Sequence, residues 1–213
     1  REMAKLLDKP VEETKIITCH IGNGSSISAV KGGKCVDTSM GFTPNDGVPM
    51  GTRCGAIDPT VVPYIMKKEG LTAPEVEKLL NSKSGLLGVS GVSSDCRDIT
   101  TAADEGNHRA ALALQILTHN IKKIIGSYAA VMNGVDVIVF TAGMGENDSR
   151  IRERIATDME YLGVEFDIDA NKNFTRGVPC EISKAGSRTK VLVIPTDEEY
   201  MIACDTEALA KAL

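Results

Sequence analysis

The run Val135-Asp-Val-Ile-Val-Phe140 sets the tightest constraint on how this chain folds. An apolar segment of strand length that does not alternate with polar residues must be covered on both faces. That is the situation of a strand inside a sheet flanked by helices. The segment before it, residues 108–132, predicts an amphipathic helix. Leu114, Leu117, Ile121, Ile124, Tyr128 and Val131 recur there at three- and four-residue steps. After it come a glycine turn at residues 143–147 and a charged helix over 149–162. The pattern repeats near the C-terminus: a buried strand over 190–194, a turn at Pro195-Thr196, and a helix from Asp197 onward. Strand–turn–helix units of this kind predict an α/β domain.

The first third of the chain has a different rhythm. Residues 1–9 predict the end of a helix stopped by Pro10. Short strands follow at 15–19, 27–30 and 34–37, separated by Gly22-Asn-Gly24 and Gly32-Gly33, which predicts a meander. Residues 40–55, rich in Gly, Pro and Thr, predict a long loop. Asp58-Pro59 predicts a helix start, with Gly70 as its end and Pro63 limiting it. Thr72-Ala-Pro-Glu75 has the spacing of a capping box. Residues 84–94 predict a Gly/Ser loop. A meander followed by α/β crossovers hints at the actin/hexokinase-like ATPase fold, with a mixed sheet and flanking helices.

Composition excludes several classes of function. The net charge of −5, with no Trp among few aromatic residues, argues against a nucleic-acid partner, which needs a basic face or stacking platforms. No apolar run approaches the ~20 residues of a membrane span, and no secretory signal is present, so a cytoplasmic location is expected. Cys19, Cys35, Cys54, Cys96, Cys180 and Cys204 form no Cys-x-x-Cys pair, and no His lies at zinc-ligand spacing beside them. Reduced, mostly buried thiols are expected. The opening at Arg1, inside a helical pattern and ahead of Met3, reads as a piece of a longer protein.

Three loops have the chemistry of phosphate cradles. His20-Ile-Gly-Asn-Gly-Ser-Ser26 lies between two expected strands, and Gly143-Met-Gly-Glu-Asn147 between a strand and a helix. Ser90-Gly-Val-Ser-Ser94 is donor-rich. Each taken singly also reads as a tight turn, and none is a Walker loop. Arg53 suits bidentate contact with a transferring phosphoryl group, or an ion pair with Asp46 or Asp58. Glu198 and Glu199 suit Mg²⁺ held through water, or a favourable place against a helix dipole. Asp95 and Arg97 suit nucleotide contact, or a local salt bridge.

These segments, joined by Asp37-Thr-Ser-Met-Gly-Phe-Thr-Pro44, Met50-Gly-Thr-Arg53, residues 84–95 and Ile194-Pro-Thr-Asp-Glu-Glu199, resemble the acetate kinase family in the family's order over most of the chain. The resemblance implies the actin/hexokinase-like (ribonuclease H-like) ATPase fold and the reaction ATP + acetate ⇌ ADP + acetyl phosphate. It implies a nucleotide site built from His20, Ile21, Gly22, Asn23 and Gly24, from Asp95, Cys96 and Arg97, and from Gly143, Met144, Gly145, Glu146 and Asn147. Arg53 is then the arginine that stabilises the transition state, and Glu198 the Mg²⁺ carboxylate. The partners implied are ATP or ADP, Mg²⁺, acetate or acetyl phosphate, and a second copy in a homodimer. Residues 1–213 correspond to the C-terminal domain. The family's N-terminal phosphate turn, arginine, catalytic aspartate and Phe-His-Gly segment do not occur, so this chain is expected to be inactive alone. Cys54 and Ala56 stand where the family has Ser and Asp. Propionate kinase, or a non-catalytic nucleotide-binding or dimerisation module, is the alternative.

Overall fold

The computed structural model describes residues 6–212. Most of the helix tail expected over 1–9 lies outside them. Six strands form one sheet: β1 (Lys15–Ile21), β2 (Ser25–Lys31), β3 (Lys34–Thr38), β4 (Val137–Thr141), β5 (Cys180–Glu181) and β6 (Lys190–Val193). Their order is β3-β2-β1-β4-β6-β5. The first three make the expected antiparallel meander. β4 lies parallel to β1, with Ile17 opposite Ile138, and β6 lies parallel to β4. β5 closes the far edge antiparallel to β6.

The helix expected from periodicity forms as a single element over His108–Met132. Asn107 caps its start by accepting from Ala110 N, and Asn133 ends it in a left-handed conformation. Leu114, Leu117, Ile121 and Tyr128 are buried as the spacing requires. Val131 is exposed, and Ile125, Ala129 and Met132 take the inner positions instead. The helix is long enough that its inner face drifts around the axis. This face and the Ile17, Cys19, Ile21, Ile27, Ile138 and Phe140 side of the sheet form the main core. On the other side, Ile16, Val137, Val139 and Leu192 pack with Leu7, Val30 and Ile194. β4 is therefore covered on both faces, as its composition demanded.

The remaining helices are α1 (Val61–Glu69), α2 (Ala73–Ser82), α3 (Gly85–Ser90), α4 (Cys96–Asp104), the long α5 (His108–Met132), α6 (Ala142–Asn147), α7 (Ser149–Ala156), α8 (Ile168–Lys172) and α9 (Glu198–Ala212). α1 begins two residues later than Asp58-Pro59 implies. The Asp58 carboxylate accepts from Thr60 N and Oγ1 in a turn that precedes the helix. Pro63 falls in the first turn, where a missing N–H costs no helical bond. The capping box forms as expected, with Thr72 N and Oγ1 both donating to Glu75.

Three expectations are corrected. Residues 84–94 are not all loop, because 85–90 are helical. Leu86 N and Leu87 N donate to the carbonyls of Met50 and Gly51 (2.8 and 2.9 Å), so the free amides of a glycine-rich helix start find acceptors in the 40–55 loop. Residues 143–147 form the short helix α6 rather than a turn. The helix expected over 149–162 ends at Ala156. Thr157 is extended, its carbonyl accepts from Lys122 Nζ, and Asp158 turns left-handed.

Gly85 sits at φ +58°, and a Cβ there would strike the carbonyls of Met50 and Arg53. Gly70, at φ +67°, has open space around it. Gly70→Ala should therefore cost only the left-handed penalty, about 1–2 kcal/mol. Gly85→Ala should cost more, and should also loosen the loop that carries Arg53. Urea unfolding of the two variants checks the order.

Candidate functional site

β1 and β4 run parallel, so the loops leaving their C-terminal ends emerge side by side. His20 lies opposite Thr141 in that pairing. The β1–β2 turn and the start of α6 thus form two walls of one cleft of about 800 Å³. The third wall is the start of α4. Gly22, Asn23, Asp95, Cys96, Arg97, Gly143, Met144 and Asn147 line it, together with Ser94, Asp148, Ser149, Arg150 and Arg176.

Eight of the expected nucleotide residues therefore converge across more than 120 positions of sequence. The other five do not line the cleft. His20 is half-buried at the end of β1, and Ile21 is fully buried in the main core. Gly24 faces Arg53: a Cβ there would lie 3.1 Å from its Nη1. Gly145 packs on β1, where a Cβ would lie 3.4 Å from the Cys19 carbonyl oxygen.

Glu146 serves the protein itself. Its Oε1 accepts from Ala142 N (2.8 Å), Thr196 N (2.9 Å) and Thr196 Oγ1 (2.9 Å). This carboxylate staples α6 to the turn between β6 and α9. Thr141 Oγ1 adds a bond to Thr196 Oγ1 at 2.8 Å. Ala142, held at φ +65°, is strained for a non-glycine residue, and the staple is what holds it there. Glu198 stands two residues beyond Thr196, exposed at the first turn of α9.

Arg53 is half-buried and pairs with neither Asp46 nor Asp58. Its nearest acceptors are Pro44 O at 3.5 Å and Met50 Sδ at 3.6 Å. The loop that carries it is tied to the phosphate-type turn through Gly51 N donating to Asn23 O at 3.1 Å. The residue after it, Cys54, turns its thiol toward Gly55 O and the Asn45 side chain. Burial raises its pKa.

For Asp95 and Arg97 the local salt bridge forms, at the rim of the cleft. They line the cleft, and they pair with each other, Arg97 Nη2 lying 2.6 Å from Asp95 Oδ2. Asp95 also caps α4 through Arg97 N. The side-chain and backbone bonds from Arg97 hold the carboxyl down at about 2. Cys96, between them, is buried, and loss of solvation pushes its thiol up to about 11.

Sequence reasoning passed over Asp148, Ser149, Arg150 and Arg176. Asp148 was legible as the cap of α7, accepting from Arg150 N and Ile151 N. Arg150 pairs with Asp104 at 2.6 Å. Arg176 comes from the segment after α8, for which no pattern was apparent. All six thiols are free. Only Cys19 and Cys96 are buried, and Cys35 is exposed, which corrects the expectation of mostly buried thiols. Among the described residues no helix is long and apolar enough to cross a membrane, and no group of three or more His, Cys, Asp or Glu is placed to hold a metal.

Comparison with known proteins adds to this geometry. The Acetokinase family matches residues 1–204. An acetate kinase of Methanosarcina acetivorans is 57% identical over 211 residues, 99% of this chain and 51% of that protein. The crystal structure of Porphyromonas gingivalis acetate kinase superposes with a TM-score of 0.94 at 51% identity, over 98% of this chain and 52% of that one. A propionate kinase from Francisella tularensis gives a TM-score of 0.86 at 40% identity, over 95% and 50%. The chain thus spans about half the length of the curated relatives it matches, and the fold is the actin/hexokinase-like one expected.

The depressed Asp95 gives a signed pH dependence. A carboxylate lowered by folding stabilises the native state above its ordinary value near 3.8. That contribution is lost as pH falls through about 2. The carboxyl carbon resonance of Asp95 should titrate near pH 2 in the native protein, and should move toward the ordinary value in Arg97→Ala.

Proposed function

The chain belongs to the acetokinase family, and on that premise we propose that it is the nucleotide-binding, C-terminal part of an acetate kinase. The reaction is phosphoryl transfer between ATP and acetate, giving ADP and acetyl phosphate. One observation carries this reading. Three loops distant in sequence enclose one cleft of about 800 Å³, and an arginine with no acidic partner among the described residues is tied to the loop on its phosphate side.

The chemistry suits that arrangement. A carboxylate acceptor is already ionised at neutral pH, so no strong general base is required. Catalysis rests on holding donor and acceptor in line and on neutralising the phosphoryl oxygens. Gly22, Asn23, Gly143, Met144 and Asn147 supply backbone and amide groups to the nucleotide, while Asp95, Cys96 and Arg97 wall the adenosine side. Arg53, whose guanidinium is engaged among the described residues by a carbonyl and a thioether alone, keeps its fork free for the transferring group. A pure binding module has no need of such a group.

The donor set also fits Mg²⁺. This ion binds through one or two carboxylates, completed by phosphates and water. Glu198 is an exposed carboxylate two residues beyond Thr196, which the Glu146 carboxylate ties to α6. Bound there, the ion would neutralise phosphate charge. ATP or ADP and Mg²⁺ are thus the ligands of the reading, with acetate or acetyl phosphate as the second substrate.

The likeness to a propionate kinase keeps propionate as the alternative acceptor, and comparing the two acids in a joined, full-length protein decides it. The reading extends to a cytoplasmic homodimer. Free thiols support the location, and wholly exposed β3, with its exposed Val36 and with exposed Phe42 after it, supports a covering partner. Light scattering of the purified chain tests the dimer.

Titration calorimetry of this chain with Mg-ADP should give saturable binding without turnover. Gly145→Val should weaken it, because branches on that Cβ would press on the backbone of β1 and β4. Absence of binding at millimolar nucleotide would sink the half-site reading. Turnover by the isolated chain would show that no further segment is needed. In the protein joined to its other half, Arg53→Ala should lower kcat on the order of 10³-fold, by analogy with arginine fingers.

A further inference from the structure

Arg152, on α7, is fully buried and is the largest such side chain among the described residues. No carboxylate lies within ion-pair distance of it among the described residues. Its Nε donates to Asn171 Oδ1 at 2.8 Å and its Nη2 to Asn171 O at 3.3 Å. Its Nη1 donates to the carbonyls of Gly145 (3.0 Å) and Glu146 (2.8 Å). The ring of Phe174 lies 4.2 Å from the guanidinium carbon. Loss of solvation pulls this guanidinium down to about 10, the mark of a cation held at a cost.

An apolar side chain of similar volume would fill this space without that cost. Only a planar fork can gather carbonyls from two separate segments at once. The carbonyls it takes at α6 are informative. A helix of six residues leaves most of its carbonyls without helical partners, and those of Gly145 and Glu146 face α7, within reach of Arg152 Nη1. Arg152 satisfies both. It thereby fixes the inner side of α6, whose outer side presents Gly143, Met144 and Asn147 to the cleft. Asn171 completes the frame by donating from its amide to Ser149 O at 2.8 Å, at the start of α7.

We infer that Arg152 is a positioning residue for nucleotide binding, which touches no ligand itself and sets the place of α6 through the carbonyls of Gly145 and Glu146. This rests on the nucleotide reading of the cleft. Lysine keeps the charge but donates from a single point, so it cannot span Asn171 and both carbonyls. Arg152→Lys should leave the protein folded, with amide exchange across residues 142–147 faster by roughly tenfold and protection in β1 and α5 unchanged. Its affinity for Mg-ADP should fall roughly tenfold or more. Asn171→Ala, which removes one acceptor and leaves Arg152 in place, should shift both readouts in the same direction by less, and it provides the test if the lysine variant fails to fold. Unchanged exchange at 142–147 with unchanged Mg-ADP affinity overturns the inference. So does protection lost equally in β1, α5 and α6, since that is the signature of a general packing role. If the unsubstituted chain binds no Mg-ADP, the nucleotide reading fails, and the exchange pattern alone still decides whether Arg152 sets α6.

Discussion

The parallel pairing of β1 with β4 is the contact on which everything else in this molecule depends. It joins an antiparallel meander to the α/β units and creates the two-sided burial that the 135–140 run requires. It also sends two loops out of the sheet at the same edge, because parallel strands end together. Five residue pairs, from Ile16–Val137 to His20–Thr141, hold that register. The cleft is a consequence of it: the side chains lining the walls choose the ligand, but the backbone pairing chooses the place.

Two arginines show how differently one residue type is used around this cleft. Arg53 is half-buried and has weak neighbours, a carbonyl at 3.5 Å and a thioether at 3.6 Å. Arg152 is sealed in, and all three nitrogens of its fork donate to protein carbonyls and an asparagine. Between them, Glu146 reverses the polarity of the same device. It is a carboxylate that collects backbone and hydroxyl donors and so binds the cleft wall to the segment bearing Glu198. The charged groups behind the walls are satisfied largely by backbone, whereas Arg53 has only a carbonyl and a thioether at the edge of hydrogen-bond distance.

Much of this was legible in the sequence, for identifiable reasons. The long α5, β1 to β4, β6 and the capping box at Thr72 follow from local rules, namely periodicity, branching and a carboxylate three residues past a hydroxyl. What escaped depends on tertiary partners. Residues 85–90 are rich in Gly and Ser and look like a loop, yet they are helical because a loop some 35 residues earlier supplies acceptors for Leu86 N and Leu87 N. Glu146 read as a ligand because its place in a glycine-rich motif is known from sequence, while its partner Thr196 lies 50 residues away. Arg152 looked like one more charge on a charged helix, since nothing local announces that a cation will be buried.

The β1–β4 register also sets a clock. Lys15 and Asp136, bonded at the start of this pairing, are 121 residues apart. A ribosome adding about 5–20 residues each second delivers β4 on the order of ten seconds after β1. Through that interval the meander stands with Ile17, Cys19, Ile21 and Ile27 uncovered and with the β1 edge unpaired, an open template for any other extended chain. The register that builds the cleft therefore makes the nascent protein dependent on whatever shields that edge until its own fourth strand emerges.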